Sequence, residues 1–269
     1  MSSVEELFEA MRAWPEVEAI ALGGSRATGN ADEKSDYDVY LYVTAPVPTQ
    51  RREKLLSDYC SRMEIDNNFW ENEDNCTLND GTDIDILYRD LDSFMNGVAD
   101  VVEHFHASNG YTTCLWHNVI TSTIVFDRNG RFAAAQRRFS VPFPEPLRRN
   151  IIERNTRLLH GNLPSYDAQI RKAAIRGDEV AVNHRVAAFM ESYFDVLFAL
   201  NRLTHPGEKR LEKLASRNCA ILPKDFEANL DTLFGTMFTD VDQLSGTLQI
   251  IVDNLQRSCL LYTSPSPRD

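Results

Sequence analysis

The spacing of apolar residues differs between the two halves of the chain. Residues 3–14 place apolar side chains at helical intervals behind a serine, and Pro15 ends this pattern. Four later segments have the length and apolar content of strands: residues 17–24, 37–44, 83–90 and 121–130. Because helical patterns lie between these segments, the first half is predicted to form a sheet covered by helices.

Two of the intervening segments, residues 49–63 and 90–107, are predicted to be amphipathic helices. The segment 71–82 is rich in acidic and turn-forming residues. We interpret it as a loop that leads into the strand at 83–90.

The second half of the chain has only helical patterns. Prolines at 142, 144 and 146 interrupt both strand and helix, which predicts a linker between two domains. Helices are predicted at residues 145–161, 165–177, 178–203, 208–216, 224–234 and 241–255. The third of these is apolar on nearly all faces and is the expected centre of a bundle. The predicted fold class is therefore an α/β (α+β) domain over residues 1–140, followed by an all-α helical bundle over residues 146–258.

The last eleven residues, 259–269, do not continue the pattern of the preceding helix. Back-translated, they resemble a transposon-end adapter used to prepare shotgun sequencing libraries. We interpret them as a sequencing artefact on a metagenomic fragment, and we expect the native chain to continue past Ser258.

The charge balance excludes several classes of partner. With 40 acidic and 28 basic side chains, the net charge is -12, which disfavours binding to a nucleic-acid backbone and favours a cationic small molecule. The N-terminus lacks the features of a targeting peptide, and the sequence has no apolar segment long enough to cross a membrane. A cytoplasmic location without a membrane partner is therefore expected. The five cysteines lack paired metal-binding spacing and are expected to be reduced thiols.

The strand at 37–44 begins with an acidic pair, Asp36 and Asp38. Since residues alternate sides along a strand, the two carboxylates are expected to point the same way and to repel each other. A hard divalent ion such as Mg2+ is the usual compensation. A third carboxylate is expected from Asp85 on the strand at 83–90, with Asp83 on the same side as its competitor.

Upstream of the acidic pair, Gly23 and Gly24 permit a turn whose backbone N–H groups point outward, and Ser25 adds a hydroxyl. Such a turn accepts phosphate. Together with the acidic residues it predicts a site for a phosphorylated ligand and a divalent metal.

The order Gly24-Ser25, Asp36-Tyr37-Asp38 and Ile84-Asp85-Ile86 resembles the nucleotidyltransferase superfamily. Within it, the chain resembles the bacterial group of small-molecule nucleotidyltransferases that includes aminoglycoside adenylyltransferases. The motifs lie in residues 18–90. The segments 86–92 and 197–214 further resemble an uncharacterised bacterial family in which this catalytic domain is fused to a helical bundle.

The resemblance implies a mixed sheet with helices, a reaction and a set of roles. A nucleoside monophosphate, AMP from ATP as the first candidate, would pass to a hydroxyl of a small molecule, with release of pyrophosphate and participation of two Mg2+ ions. Asp36, Asp38 and Asp85 would ligate the metals, and Asp85 would also accept the proton of the acceptor. The β- and γ-phosphates would be held by Gly24 and Ser25, assisted by Arg26 or Lys209.

Alternatives remain for the function and for individual residues. The acceptor could be a protein hydroxyl, or the protein could be a nucleotide-binding sensor without turnover. His104 and His106 are predicted to lie on a helix facing different directions, which disfavours a metal site. The acidic segment 71–74 is interpreted as a solvated turn, with attraction of a basic substrate as the alternative. Aromatic residues of the central helix are assigned to the core: Tyr193, Phe194 and Phe198.

Overall fold

The structure, a computed structural model, describes residues 3–27 and 35–263. The chain divides into two compact units, one drawn from residues 1–100 and 116–141 and the other from residues 101–115 and 142–269. Compactness alone does not define an independently folding domain. The limits predicted above, 1–140 and 146–258, therefore stay predictions.

The first unit contains the sheet and the helices that cover it. Its elements follow the order α1 (Ser3–Arg12), β1 (Val17–Leu22), α2 (Gly24–Ala27), β2 (Tyr37–Val43), α3 (Thr49–Tyr59), β3 (Cys60–Asn67), β4 (Glu73–Leu78), β5 (Asp83–Asp90), α4 (Leu91–Val102), α5 (Cys114–Thr121), β6 (Thr123–Asp127) and α6 (Arg131–Phe139). The last residues of α4 and the first of α5 cluster with the second unit.

Within the described ranges, six strands form one mixed sheet in the order β3-β4-β5-β2-β1-β6. β2 and β5 pair in parallel, whereas the other neighbouring strands are antiparallel. This confirms the mixed sheet with helices that the resemblance implies.

The two faces of the sheet are covered differently. On one face, alternate residues of β2 and β5 pack with apolar residues of α1 and α3. On the other, the ring of Tyr42 stacks on Phe132 of α6 at 4.4 Å and meets Phe94 of α4 edge-on at 5.5 Å. Since side chains alternate along β2, Asp38 shares the face of Tyr42.

Two sequence predictions are wrong around β3 and β4. The helix predicted over 49–63 ends at Tyr59, and the segment 71–82, predicted to be a loop, contains β4. Along β4 the residues that face the core are Asp74, Cys76 and Leu78. A buried carboxylate at the first of these positions disguises the apolar alternation that identifies a strand.

Arg52 of α3 explains how the carboxylate of Asp74 is buried. Its Nη1 lies 2.9 Å from Asp74 Oδ1, and its Nη2 lies 2.7 Å from Asp66 Oδ1. The hydroxyl of Tyr88 donates to the second oxygen of Asp74 at 2.9 Å. Burial has the largest effect on the pKa of Asp74 and raises it, although Arg52 and Tyr88 lower it.

The second unit is helical, as predicted. Its helices are α7 (Glu145–Leu159), α8 (Tyr166–Ile175), α9 (Glu179–Leu200), α10 (Leu211–Asn218), α11 (Phe226–Thr236) and α12 (Val241–Thr263). α9 supplies much of the apolar core, and Tyr193, Phe194 and Phe198 are buried in it, which confirms their assignment. α12 continues through residue 259, where the predicted artefact begins, and the side chain of Cys259 is buried.

A buried carboxylate ties α9 to the segment that precedes α5. Asp195 accepts hydrogen bonds from the backbone N–H of Thr112 at 3.1 Å, from the Thr112 hydroxyl at 2.6 Å and from Asn155 Nδ2 at 3.1 Å. Burial outweighs these hydrogen bonds and raises the pKa of Asp195 to about 6. The second unit thus contains a carboxyl group whose charge depends on pH in the mildly acidic range.

Among the described helices, none combines the length and the apolar character needed to cross a membrane.

Candidate active site

The glycine turn after β1 lies directly over the acidic strand. The backbone N–H of Gly23 donates to the carbonyl of Asp38 at 2.8 Å. A Cβ on Gly24 would lie 1.8 Å from Oδ2 of Asp38, and a Cβ on Gly23 would lie 2.5 Å from the ring of Tyr40. Gly24 also has a φ of +59°. Position 24 therefore requires glycine, because a larger residue would collide with the carboxylate of Asp38 and would be strained at this φ.

Three carboxylates converge beside this turn. Asp36 immediately precedes β2, Asp38 lies within it, and the parallel register places Asp85 of β5 opposite Asp38. One oxygen from each of the three side chains lies within 4.8 Å of the others, and all three residues are partly buried. Carboxylates held this close repel one another unless a cation neutralises them. The oxygen donors and their spacing fit a hard divalent ion such as Mg2+.

The structure distinguishes Asp85 from its competitor Asp83. Asp83 is exposed and its Oδ1 accepts a hydrogen bond from Thr77 Oγ1 at 2.8 Å. Asp85, two residues further along β5, belongs to the cluster with Asp36 and Asp38. Within the described part of the chain, Asp83 belongs to no group of three or more potential metal ligands.

Sequence reasoning missed a residue that contacts this cluster. Asn75 of β4 lies opposite Asp85 in the antiparallel register, and its Nδ2 donates to Asp85 Oδ1 at 2.8 Å. The buried positions Cys76 and Leu78 carry the alternation that could have identified β4 as a strand. Recognising that strand would have placed Asn75 on the face opposite the buried side chains of Cys76 and Leu78.

Arg26 holds the backbone that leads into β2. Its Nε donates to the carbonyls of Ser35 at 3.1 Å and Asp36 at 3.0 Å. Its guanidinium carbon lies 3.8 Å from the ring centroid of Tyr37. These contacts fix the direction from which Asp36 approaches the cluster, and a phosphate contact of Arg26 stays a prediction.

Two further phosphate ligands, Ser25 and Lys209, are not tested by the structure. The side chain of Ser25 lies outside the described part of the structure. Lys209 is an exposed residue of the second unit, between α9 and α10. Both assignments stay predictions.

The acidic segment 71–74 is not the solvated turn that the sequence predicts. Glu71 pairs with Arg89 through both carboxylate oxygens, at 2.7 and 2.8 Å, and Asp74 is buried against Arg52. Glu73 remains partly exposed at the start of β4; its pKa is raised by burial first and by the charge of Asp85 second. The prediction fails because arginines from distant parts of the sequence neutralise two of these acids.

The two histidines also depart from their predicted setting. α4 ends at Val102, so His104 and His106 follow the helix and do not lie on it. The metal-ligand group found in residues 3–27 and 35–263 consists of the three aspartates alone.

Comparison with known proteins identifies the class of the first unit. Residues 4–90 match the family described as "Nucleotidyltransferase domain", and residues 112–211 match a domain of unknown function, DUF4037. The chain thus carries a nucleotidyltransferase domain, which confirms the resemblance inferred from the glycine turn and the aspartates. The matched segment contains the whole acidic cluster.

Two solved structures resemble the chain weakly. One is a nucleotidyltransferase-like protein from Exiguobacterium sibiricum 255-15, with 12% identity and a TM-score of 0.46 over 97% of this chain and 75% of that one. The other is an aminoglycoside 6-adenyltransferase from Bacillus subtilis, with 10% identity and a TM-score of 0.30 over 98% of this chain and 92% of that one. No curated protein sequence matches the chain significantly. Similarity at this level does not define an acceptor.

Proposed function

We propose that the protein transfers a nucleoside monophosphate from a nucleoside triphosphate to a hydroxyl of a small molecule and releases pyrophosphate. AMP from ATP is the first candidate. The observation that carries this proposal is the convergence of Asp36, Asp38 and Asp85 beside a glycine turn, within a nucleotidyltransferase domain.

The three aspartates would hold two Mg2+ ions. When bound, these ions would polarise the α-phosphate and stabilise the charge on the attacking and leaving oxygens. The protein side of the site is built in advance, because Asp38 is packed under Gly24 and Asp36 follows a backbone held by Arg26. Such preorganisation avoids reorganising the carboxylates during the reaction.

The reaction balances as an in-line displacement. The acceptor oxygen forms a bond to the α-phosphorus, and the bond from that phosphorus to the oxygen bridging to the β-phosphate breaks. The electron pair leaves with pyrophosphate. Asp85 is the proposed acceptor of the hydroxyl proton. Gly24 and Ser25 are proposed to hold the β- and γ-phosphates through the turn, and Lys209 to balance their charge.

An acidic surface beside the cluster supports a cationic acceptor. Asn75 pairs in register with Glu64 on one side and with Asp85 on the other, so the three residues share one face of the sheet. Glu73 lies two residues before Asn75 on the same face. Glu64 is paired with Arg62 at 2.9 Å, so Glu73 and the cluster itself supply most of the negative charge. This placement and the net charge of -12 favour an acceptor that carries amino groups.

The experiment is a measurement of pyrophosphate release by the purified protein with Mg2+. Each of the four ribonucleoside triphosphates is tested against pooled aminoglycosides, lincosamides and sugar alcohols. Release that requires a pool member, is lost in Asp38→Ala and is retained in Asp83→Ala supports the proposal. Asp83 is the matched control because it is an acid of the same strand outside the cluster. Release that persists unchanged in Asp38→Ala contradicts it.

One observation favours a protein as the acceptor. Phe69 and Trp70, in the segment between β3 and β4, are 84% and 87% exposed, and exposed aromatic pairs are typical of protein contact sites. Transfer of labelled nucleotide to a co-purified protein, lost on replacing both aromatics with serine, would support this alternative. Saturable nucleotide binding without turnover would instead indicate a sensor.

A further inference from the structure

A chain of side-chain amides leads to the third carboxylate of the cluster. The backbone N–H of Phe69 donates to Asn67 Oδ1 at 3.1 Å. Asn67 Nδ2 then donates to Asn75 Oδ1 at 2.9 Å, and Asn75 Nδ2 donates to Asp85 Oδ1 at 2.8 Å. Every link runs from donor to acceptor in the same direction.

The two ends of the chain fix the direction of every link. An asparagine amide can present either its oxygen or its NH2 group to a neighbour, and the surrounding hydrogen bonds decide which. A backbone N–H can only donate, so the oxygen of Asn67 must face Phe69. An ionised carboxylate can only accept, so the NH2 group of Asn75 must face Asp85. The NH2 group of Asn67 and the oxygen of Asn75 are then left to pair with each other.

We propose that Asn75 is a positioning residue that fixes the carboxylate of Asp85 for metal binding, and that Asn67 holds the Asn75 amide in place by donating to its oxygen. This inference rests on the proposed nucleotidyl transfer for its catalytic meaning. The hydrogen bond engages Oδ1 of Asp85 and restricts rotation of the carboxylate. A donor of this kind behind a metal ligand orients the ligand toward the ion.

The same strands provide a matched control. Thr77 and Asp83 are opposed in the β4–β5 register two residues from Asn75 and Asp85, and they form a hydrogen bond of the same length, 2.8 Å. Asp83 lies outside the cluster. Thr77→Val thus removes an equivalent hydrogen bond from the same pair of strands without affecting a proposed metal ligand.

The test measures Mn2+ affinity by electron paramagnetic resonance, beside pyrophosphate release. Asn75→Leu is expected to weaken Mn2+ binding about 10- to 100-fold, whereas Thr77→Val changes it less than about twofold. Asn67→Asp is the second variant. Its carboxylate can only accept, so it no longer donates to the Asn75 oxygen and competes with Asp85 for the Asn75 NH2 group; a loss of Mn2+ affinity is therefore expected.

A double-mutant cycle separates positioning from general stability. If Asn67 acts through Asn75, Asn67→Asp has little further effect on Mn2+ affinity in the Asn75→Leu background. The inference would be overturned if the losses of Mn2+ affinity in Asn75→Leu and Asn67→Asp add in the double variant. Equal losses of Mn2+ affinity in Asn75→Leu and Thr77→Val would also overturn it. Should Asn75→Leu fail to fold, unchanged Mn2+ affinity in folded Asn67→Asp would overturn it as well.

The two readouts also separate this inference from the proposed function. Weakened Mn2+ binding in the variants, in a protein that releases no pyrophosphate, supports the positioning role and contradicts the transfer reaction. Pyrophosphate release by the wild type with unchanged Mn2+ affinity in the variants supports the reaction and overturns the positioning role.

Discussion

Replacing Gly24 with alanine is expected to displace Asp38 and disable the acidic cluster while leaving the fold intact. The added Cβ would lie 1.8 Å from Asp38 Oδ2, whereas an ordinary contact begins at 3.4 Å. The carboxylate must therefore move by about 1.6 Å (3.4 − 1.8). A shift of about 1 Å in a reacting group lowers the rate about 100-fold, so we expect at least that loss in kcat/KM.

The cost in stability is predicted to be much smaller. At a φ of +59°, alanine is disfavoured by about 1–2 kcal/mol relative to glycine.

The assay compares Gly24→Ala with Gly81→Ala, which lies in the turn between β4 and β5. Gly81 has a φ of +90°, and a Cβ there would meet no atom within 4 Å. Gly81→Ala therefore imposes backbone strain without the collision. Pyrophosphate release and Mn2+ affinity are measured for both variants, and their unfolding in urea is monitored by circular dichroism.

Activity of Gly24→Ala within threefold of Gly81→Ala would refute this reasoning. It would mean either that Asp38 has room to move without consequence or that Asp38 is not a metal ligand. A large loss of activity in Gly24→Ala alone is the expected result.

Three further predictions concern charged side chains. Asp38→Asn is expected to raise the melting temperature of the metal-free protein by about 2 °C, because it relieves repulsion in the cluster. It should also abolish the stabilisation by Mg2+. Equal Mg2+ stabilisation of the wild type and the variant would contradict this. Arg52→Met is expected to lower the free energy of unfolding, measured in urea at pH 7, by about 3 kcal/mol, because it leaves Asp74 buried without its cation. The loss should be smaller at lower pH, where Asp74 is protonated. The control Arg51→Met removes an exposed ion pair and should cost under about 1 kcal/mol. The pKa of Asp195 in the folded protein, about 6, lies above its ordinary value of 3.8. The free energy of unfolding should therefore fall by about 3 kcal/mol in total as pH rises through that interval. Asp195→Asn should remove this pH dependence of stability, and an unchanged dependence would rule the interpretation out.

The convergence of the aspartates was predictable because its signals are local. The glycine turn, Asp36 and Asp38 lie within sixteen residues of sequence, from 23 to 38. The alternation of side chains then predicts that the two carboxylates point the same way. Asp85 required the further assumption that its strand pairs with β2, and the observed parallel register supplies that pairing.

The β3–β4 hairpin was not predictable from the same periodicity. Its core-facing positions include Asp74, whose burial depends on Arg52, twenty-two residues earlier in the sequence. A charge neutralised by a distant residue has no local signature. Asn75 was missed for this reason, because its role becomes visible only when β4 is recognised as a strand beside β5.

Other side-chain roles were hidden for a related reason. Glu71 appears solvated in the sequence, but Arg89 at the end of β5 binds both of its oxygens. Arg26 appears available for phosphate, but its guanidinium donates to backbone carbonyls before β2. Both arginines are engaged by groups that the fold brings close.

The most direct test of nucleotidyl transfer follows the position of a radioactive label. The protein is incubated with Mg2+, the acceptor pool and nucleoside triphosphate labelled either at the α- or at the γ-phosphate. We predict that the α label appears in a modified acceptor and the γ label in pyrophosphate, and that both products are lost in Asp38→Ala. Transfer of the γ label to the acceptor, or release of inorganic phosphate without a modified acceptor, would contradict the central claim that the aspartate cluster catalyses attack at the α-phosphorus.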